Sequence, residues 1–517
     1  MPATRLRLGT RRSALAWIQS TQVARAISRL HPDVEVELVG IDTRGDRIQD
    51  VPLSGVEGKE FFTAEIDQAL IEGRVDITVH SLKDLSVERP AALCTAAIPV
   101  RANPRDIALF APDVPERLSA GAGLRIGSSS PRRQELLPPF LRRALPHASR
   151  NSLSLESLRG NVDTRLRRLR EPRGSERHLD GIVLALAGLT RLFADTETDR
   201  RGHALMQELL SELNLMLLPL SENPAAPGQG ALAIECRSDD ALTRAILATM
   251  DDAATRRAVI SERALLREWG GGCHQRFGAT QVAIPGVGAL LYVAGRRDTG
   301  EPVALHRWWP DYALPVAPRD ARAWDGSQQP APQFEYLLDA PALGAKLRDA
   351  PAVFVAHWRA LPPDAAAHLH GRRVWTSGTT SWERLAQQGV WVEGSAEGLG
   401  VEALAPTLAE PVLGLPKASE WSVLTHADAT DSWSAREVIG SYRLEPHDFA
   451  DEAAMRKATH VYWTSVAQYE RGKSLLRHDV QHATGPGKTA AHLHTAGIAN
   501  LRAFPSVDEW RKWLGAE

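Results

Sequence analysis

Cysteine is scarce in this chain: three occur in 517 residues, at positions 94, 236 and 273. An odd, widely spaced set argues against a disulfide framework and fits a reducing compartment. None stands in a Cys-x-x-Cys or Cys/His ligand spacing, so neither zinc nor another metal is expected. No run of about 18 apolar residues occurs, so no membrane span and no membrane partner are expected. Residues 1–17 hold no apolar core and no small-residue cleavage site, which points to a cytoplasmic location. A charge excess is missing too. The 61 Lys and Arg are balanced by 63 Asp and Glu, whereas a nucleic-acid binder usually shows a clear basic surplus. No short-period repeat is visible.

What is present reads as several α/β domains, because the length exceeds that of one domain. Residues 13–30 place Leu15, Ile18, Gln22, Val23, Ile27 and Leu30 near one helical face. Residues 34–41 alternate like a half-buried strand, 61–71 read as a helix, and 75–79 as a short buried strand ending at His80. A second block follows, with strands at 124–127, 181–186 and 231–234 and helices starting near Arg132 and Gly188. An amphipathic helix spans 255–269, and three glycines then end it. Alternation of this kind predicts layered α/β domains with largely parallel sheets, and ligands beyond the carboxyl ends of the strands. Prolines 310, 315, 318, 330 and 332 mark residues 311–345 as a linker or irregular insertion. A further α/β region, 346–517, is rich in Trp and His.

Four constellations carry chemistry. His80-Ser81-Leu82-Lys83-Asp84 sits at a strand end and pairs a carboxylate with an ammonium, suited to proton transfer or cation stabilisation. Alone it reads more readily as a solvated ion pair. Ser128-Ser129-Ser130-Pro131-Arg132-Arg133 opens a helix with hydroxyls, free N–H groups and two guanidiniums, which suits an anion. Arg159 and Arg165, in the stretch 158–165, join Arg191 and Arg11 beside strand ends or helix starts. If they converge, the ligand carries several carboxylates or phosphates. The alternative is helix-surface charge, the reading adopted for Arg167, Arg168 and Arg170. Finally, Cys273 follows Gly270-Gly271-Gly272, an accessible setting for a nucleophilic thiolate. Cys94 and Cys236, in apolar stretches, read as small buried hydrophobes.

Taken in order over residues 5–300, these features resemble the porphobilinogen deaminases. The resemblance rests on Gly9-Thr10-Arg11-Arg12-Ser13, Thr43-Arg44-Gly45-Asp46, Gly58-Lys59 with Phe62, His80 to Asp84, Ser128 to Arg133, Leu158 to Asn161, Pro227 to Ala231, and Gly271-Gly272-Cys273. It implies an α/β, three-domain fold: two lobes like those of periplasmic binding proteins and a small α+β cofactor domain. Domain 1 would be 1–99 with 231–248, domain 2 105–224, and domain 3 253–310. The implied activity is head-to-tail condensation of four porphobilinogens into hydroxymethylbilane with release of ammonia. The implied cofactor is dipyrromethane, thioether-linked to Cys273. Asp84 matches the family's catalytic aspartate. Ser81, Lys83, Ser129, Arg132 and Arg133 match cofactor-binding positions. Arg11, Ser13, Lys59, Phe62, Arg159, Arg165 and Arg191 match substrate-binding positions. Residues 43–61 match a loop over the cleft, and a monomer is implied. Gly55, Glu60, Arg276 and an insertion at 170–178 depart from the family's pattern. A cytosolic anion-binding protein on the same lobes is the rival, but it would need neither Asp84 nor Cys273.

Residues 346–517 resemble a uroporphyrinogen-III synthase. The motifs are Val374 to Thr380, Ser441-Tyr442-Arg443, Tyr462 to Ser465 and Gly485 to Ala490. The usual first strand with Thr-Arg-Pro is not found. The resemblance implies either ring closure of the linear tetrapyrrole or a non-catalytic interaction module, and both readings stay open. Trp308, Trp309, Trp358, Trp375, Trp382 and Trp391 read as core or interface.

Overall fold

The computed structural model describes residues 4–43, 63–147, 151–194, 200–269, 275–330, 333–433, 437–445 and 449–515. The first lobe is built from β1 (Thr4–Arg11), β2 (Val34–Ile41), β3 (Ile77–Ser81) and β4 (Leu93–Ala97). Between β1 and β2 runs the helix Ala14–Leu30, whose Ile18, Val23 and Ile27 are buried while Leu30 is exposed at its end. The chain then leaves for a second lobe made of β5 (Asp106–Phe110), β6 (Leu124–Gly127), β7 (Leu153–Glu156), β8 (Gly181–Ala185) and β9 (Asn214–Leu217). It comes back as β10 (Leu232–Arg237), which inserts between β3 and β4, so the first sheet has the order β2-β1-β3-β10-β4. The second has the order β7-β6-β8-β5-β9.

Neither sheet is wholly parallel. β1 is parallel to β2 and β3, but β10 is antiparallel to β3 and β4. In the second lobe β5 is antiparallel to β8 and β9. The crossovers explain this: β5 and β10 are the strands by which the chain enters each lobe from the other. An entry from the opposite lobe needs no right-handed helical crossover, so it can run against its neighbours. Two crossing segments, around residues 98–105 and 218–231, therefore join the lobes.

Next comes the helix Ala253–Glu268 with an antiparallel sheet of β11 (Arg276–Ile284), β12 (Gly288–Arg296) and β13 (Pro302–Trp309). Glu262 of this helix is fully buried. It pairs with Arg101 of the first crossing at 2.5 Å and accepts from Gly228 N–H of the second at 2.7 Å.

Residues 311–345 are not simply irregular. They contribute β14 (Ala323–Trp324), β15 (Phe334–Tyr336) and the helix Ala340–Lys346. Prolines interrupt the hydrophobic pattern there, but short edge strands need little pattern because sheet partners supply their hydrogen bonds. The remaining strands are β16 (Ala352–Val355), β17 (Arg373–Thr376), β18 (Gly394–Ser395), β19 (Trp421–His426), β20 (Glu437–Leu444), β21 (His460–Trp463), β22 (Gln481–Thr484) and β23 (Leu501–Ala503). They form two sheets, β15-β20-β19-β16-β17-β18 and β14-β21-β22-β23. The chain thus starts in the four-stranded sheet with β14, makes the six-stranded one, and returns. This C-terminal module is itself two-lobed and discontinuous.

The module is packed onto the rest. Phe110, Phe140 and Leu141 of the second lobe share one buried cluster with Trp382, Leu385 and Val390. Phe140 and Trp382 meet edge to face at 5.4 Å, and Trp382 Nε1 donates to Ala144 O at 2.9 Å. Trp391 does the same with Phe110 at 5.3 Å and Leu215 O at 3.0 Å. On the other side Trp308 packs on Phe504 at 5.1 Å. Trp309 departs from the core-or-interface expectation, being 43% exposed. A tryptophan filling a shared core makes Trp382→Ala lower stability by about 3–5 kcal/mol. Because the core is shared, the second lobe and the module should unfold in one transition. Denaturant unfolding followed by tryptophan fluorescence checks both.

Candidate active site

Asp84 is exposed at the end of a tight turn, Leu82–Asp84, that follows β3. The turn is held from behind. Leu82 N–H donates to Ala231 O at 3.0 Å, and Arg263 donates to the carbonyls of Leu82, Leu85 and Ser86 at 2.8–3.0 Å. Ser81 closes β3, in register with Leu232. Below it lies a buried cluster in which His80, Asp67 and Glu235 bring their ligand atoms within 4.8 Å. Arg89 runs between the carboxylates, at 2.6 Å from each, and supplies the cation there. Burial pushes the His80 imidazole pKa below its ordinary value, although Glu235 and Asp67 pull the other way.

Lys83 reaches the returning crossing segment, where its Nζ lies 3.4 Å from Gln229 Oε1. Burial lowers the pKa of its ammonium; Asp84 opposes that and Arg133 reinforces it. Gln229 Nε2 in turn donates to Asp106 Oδ1 at 2.8 Å. Asp106 is completely buried and receives Arg132 at 2.7 Å and Arg133 in bidentate fashion at 2.7 and 3.1 Å. Burial alone would raise the Asp106 pKa. The two guanidiniums overcome it and hold the carboxylate ionised far below the usual range. Arg132 and Arg133 are placed by the helix Pro131–Ala144, whose first turn Ser130 caps by accepting from Arg133 N–H.

Arg165 joins the group near Arg133 and Arg159. It donates to Gly160 O at 2.8 Å, and its pKa is lowered by burial and then by the charges of Arg133 and Arg159. Arg191 donates to Gly230 O at 2.7 Å, and burial pushes its pKa down to about 10 against the pull of Glu410. Arg11 ends β1 close enough for its charge to act on His80. Two candidates stand differently. The Ser129 hydroxyl is engaged by the backbone of Leu158, donating at 2.6 Å and accepting at 2.8 Å. Ser13 precedes the helix Ala14–Leu30 without a side-chain capping bond. Lys59, Phe62, Cys273 and the loop residues 44–61 lie outside the described residues.

Five cations (Lys83, Arg132, Arg133, Arg159, Arg165) thus gather around two carboxylates, Asp84 and Asp106. Arg132 Nε is buried with no hydrogen-bond partner. Such a set is short of negative charge and fits a ligand bearing several carboxylates.

Comparison with known proteins agrees. Residues 6–245 match the family model for porphobilinogen deaminase, dipyromethane cofactor binding domain. The chain is 42% identical over 273 residues to the porphobilinogen deaminase of Syntrophotalea carbinolica, covering 53% of this chain and 77% of that protein. For Brevibacillus brevis the identity is 40%, covering 53% and 78%, and for Roseiflexus sp. it is 42%, covering 56% and 82%. The chain belongs to the porphobilinogen deaminase family. Deaminase activity therefore resides in its N-terminal half, the substrate is porphobilinogen, and the cofactor is dipyrromethane held covalently by a cysteine. Among solved structures, the regulatory domain of MetR from N. meningitidis aligns at 12% identity over 51% of this chain and 94% of that one. Its TM-score of 0.24 is too low to bear on the fold. Among the described residues no helix is long and apolar enough to cross a membrane.

Sequence reading overlooked Asp106 and Arg263. Asp106 left a trace, a lone acid heading the apolar run Asp-Ile-Ala-Leu-Phe, whereas Arg263 is one of several arginines on its helix. Removing the Asp106 charge leaves two buried guanidiniums uncompensated, which typically costs about 3–5 kcal/mol. Asp106→Asn in the deaminase should show that loss in denaturant unfolding, and a reduced fraction of cofactor-bearing chain in intact-protein mass spectrometry.

Proposed function

We propose that this chain condenses four porphobilinogens into hydroxymethylbilane with Asp84 as catalytic carboxylate and Cys273 as the cofactor's attachment point. What carries the reading is the excess of cations, with Arg132 and Arg133 buried and Lys83, Arg159 and Arg165 half-buried, beside an exposed Asp84. When bound, dipyrromethane supplies a free pyrrole carbon as the primer for chain growth. Lys83, Arg132 and Arg133 would hold its carboxylates, with Ser81 and Ser129 at the edge. Arg11, Ser13, Arg159, Arg165 and Arg191 would take those of the substrate, with Lys59 and Phe62 closing over it. Every added ring brings two more carboxylates, so a surplus of guanidinium is the chemistry required. Loss of ammonia from porphobilinogen leaves a cationic pyrrole, and Asp84 stabilises it through the ring N–H. The domain limits proposed are 1–99 with 231–248, 105–224 and 253–310, followed by the module.

For the module we propose ring closure to uroporphyrinogen III. Support comes from its two lobes, which turn the carboxyl ends of their strands toward one another. Gly400, past β18, approaches Gly487, past β22, so closely that a Cβ on Gly487 would lie 3.3 Å from the Gly400 Cα. Backbone amides at such ends suit an anionic ligand. A non-catalytic interaction module is the second reading, favoured by the shared core with the second lobe.

Intact-protein mass spectrometry, then incubation with porphobilinogen and analysis of the isomer formed, tests both. A dipyrromethane increment with uroporphyrin III supports two working halves. The increment with only uroporphyrin I, from spontaneous closure, leaves an active deaminase with a non-catalytic module. Asp84→Asn should keep the cofactor and turn over very slowly; near-normal turnover removes Asp84 from the mechanism. Cys273→Ser should lack stable covalent cofactor, and an adduct retained elsewhere refutes the assignment.

A further inference from the structure

The loop after β18 delivers one side chain of the C-terminal module into the junction between the two deaminase lobes. Glu397 is buried, its side chain only 1% exposed. One carboxylate oxygen accepts from Arg105 at 2.6 Å, and the other accepts from Ser221 N–H at 2.8 Å. Arg105 and Ser221 belong to different crossing segments, one leaving the first lobe and the other returning to it. A single carboxylate from outside the deaminase thus ties both.

Its backbone is unusual as well. Glu397 has φ of 54°, the left-handed region that a β-carbon disfavours, and its N–H is held by Ser395 Oγ at 2.9 Å. Such a conformation persists only where the surroundings demand it, and it points to a position under functional constraint. What lies next to the tied residues is chemical. Arg105 is followed by Asp106, which orients Arg132 and Arg133; Pro104 O, on the other side, accepts from Gln229. Two weaker ties run parallel: Asn103 Nδ2 donates to Thr407 Oγ1 at 3.0 Å, and Thr190, beside Arg191, donates to Glu410 at 2.9 Å.

We propose that Glu397 is a positioning residue for the deaminase reaction, setting the angle between the lobes through Arg105 and Ser221. This rests on the assignment of Arg132 and Arg133 to the cofactor. Four successive condensations lengthen the chain held in one cleft, so the lobes must reorient about these two crossings as it grows. Glu262 of the helix Ala253–Glu268 also grips both, from within the deaminase; Glu397 is the grip that comes from the C-terminal module. The module is then a working part of the deaminase whatever its own chemistry.

The test uses the full-length chain and the variants Glu397→Gln, Glu397→Asp, Arg105→Gln and the double Arg105→Gln/Glu397→Gln. In Glu397→Gln the dipyrromethane mass should be retained and KM for porphobilinogen should stay within about twofold, while kcat falls about tenfold. Enzyme carrying one to three substrate units should accumulate in intact mass spectra. Glu397→Asp, which keeps the charge, should recover part of kcat, and the double variant should fall no further than Arg105→Gln alone. Unchanged kcat and an unchanged spread of intermediates in Glu397→Gln would overturn the proposal. So would a loss of rate that merely tracks the unfolded fraction. Absence of the cofactor mass from the unsubstituted chain would defeat the underlying reading and this proposal with it; cofactor present with unaffected Glu397→Gln kinetics defeats the proposal alone.

Discussion

A fully buried carboxylate, Asp106, holds two buried guanidiniums at the point where the chain enters its second lobe. Burying any one of these charges alone is prohibitive, and only their mutual pairing with good hydrogen bonds makes it tolerable. The three must therefore fold together, and around them the rest is arranged. The helix Pro131–Ala144 is anchored at its first turn, Gln229 of the returning segment is drawn in by a hydrogen bond, and Gln229 in turn meets Lys83 from the first lobe. One negative charge thereby links both lobes and both crossings. It still leaves the cation set in excess, and that excess is what a polycarboxylate ligand satisfies.

The second half of the chain extends the same logic by apolar means. Its six-stranded sheet merges its core with that of the second lobe through Trp382 and Trp391. Its four-stranded sheet meets the three-stranded sheet β11-β12-β13 through Phe504 and Trp308. Each lobe of the module therefore touches a different part of the deaminase. Indole rings suit this role because they bury a large area while their N–H finds a carbonyl, here those of Ala144 and Leu215. The module is an integral layer of the molecule and not an appendage on a flexible tether.

Much of the first lobe was legible because its elements follow simple periods. The helix over 14–30 and the strand over 34–41 appear where apolar spacing puts them. The strand at 124–127 and the capped start of the helix at Pro131 were equally readable, since a Ser-Ser-Ser-Pro stretch is a local signal. The antiparallel course of β5 and β10 was not, because direction within a sheet depends on which lobe the chain arrives from. Nor were β14 and β15, strands of two and three residues whose hydrogen-bond partners lie more than a hundred residues away.

The sequence alone determined the family, because the stretches around Asp84, the arginines and the glycine-flanked Cys273 are short contiguous motifs, and local identity suffices to recognise the resemblance. Only the tertiary structure decided which charges neutralise which. Pairing is set by distance in space, so Asp106 could claim Arg132 and Arg133, Ser129 could be engaged by Leu158, and Glu397 could reach Arg105 from nearly three hundred residues away. No motif records that last contact, since its partners share nothing in the chain except the cleft they meet beside.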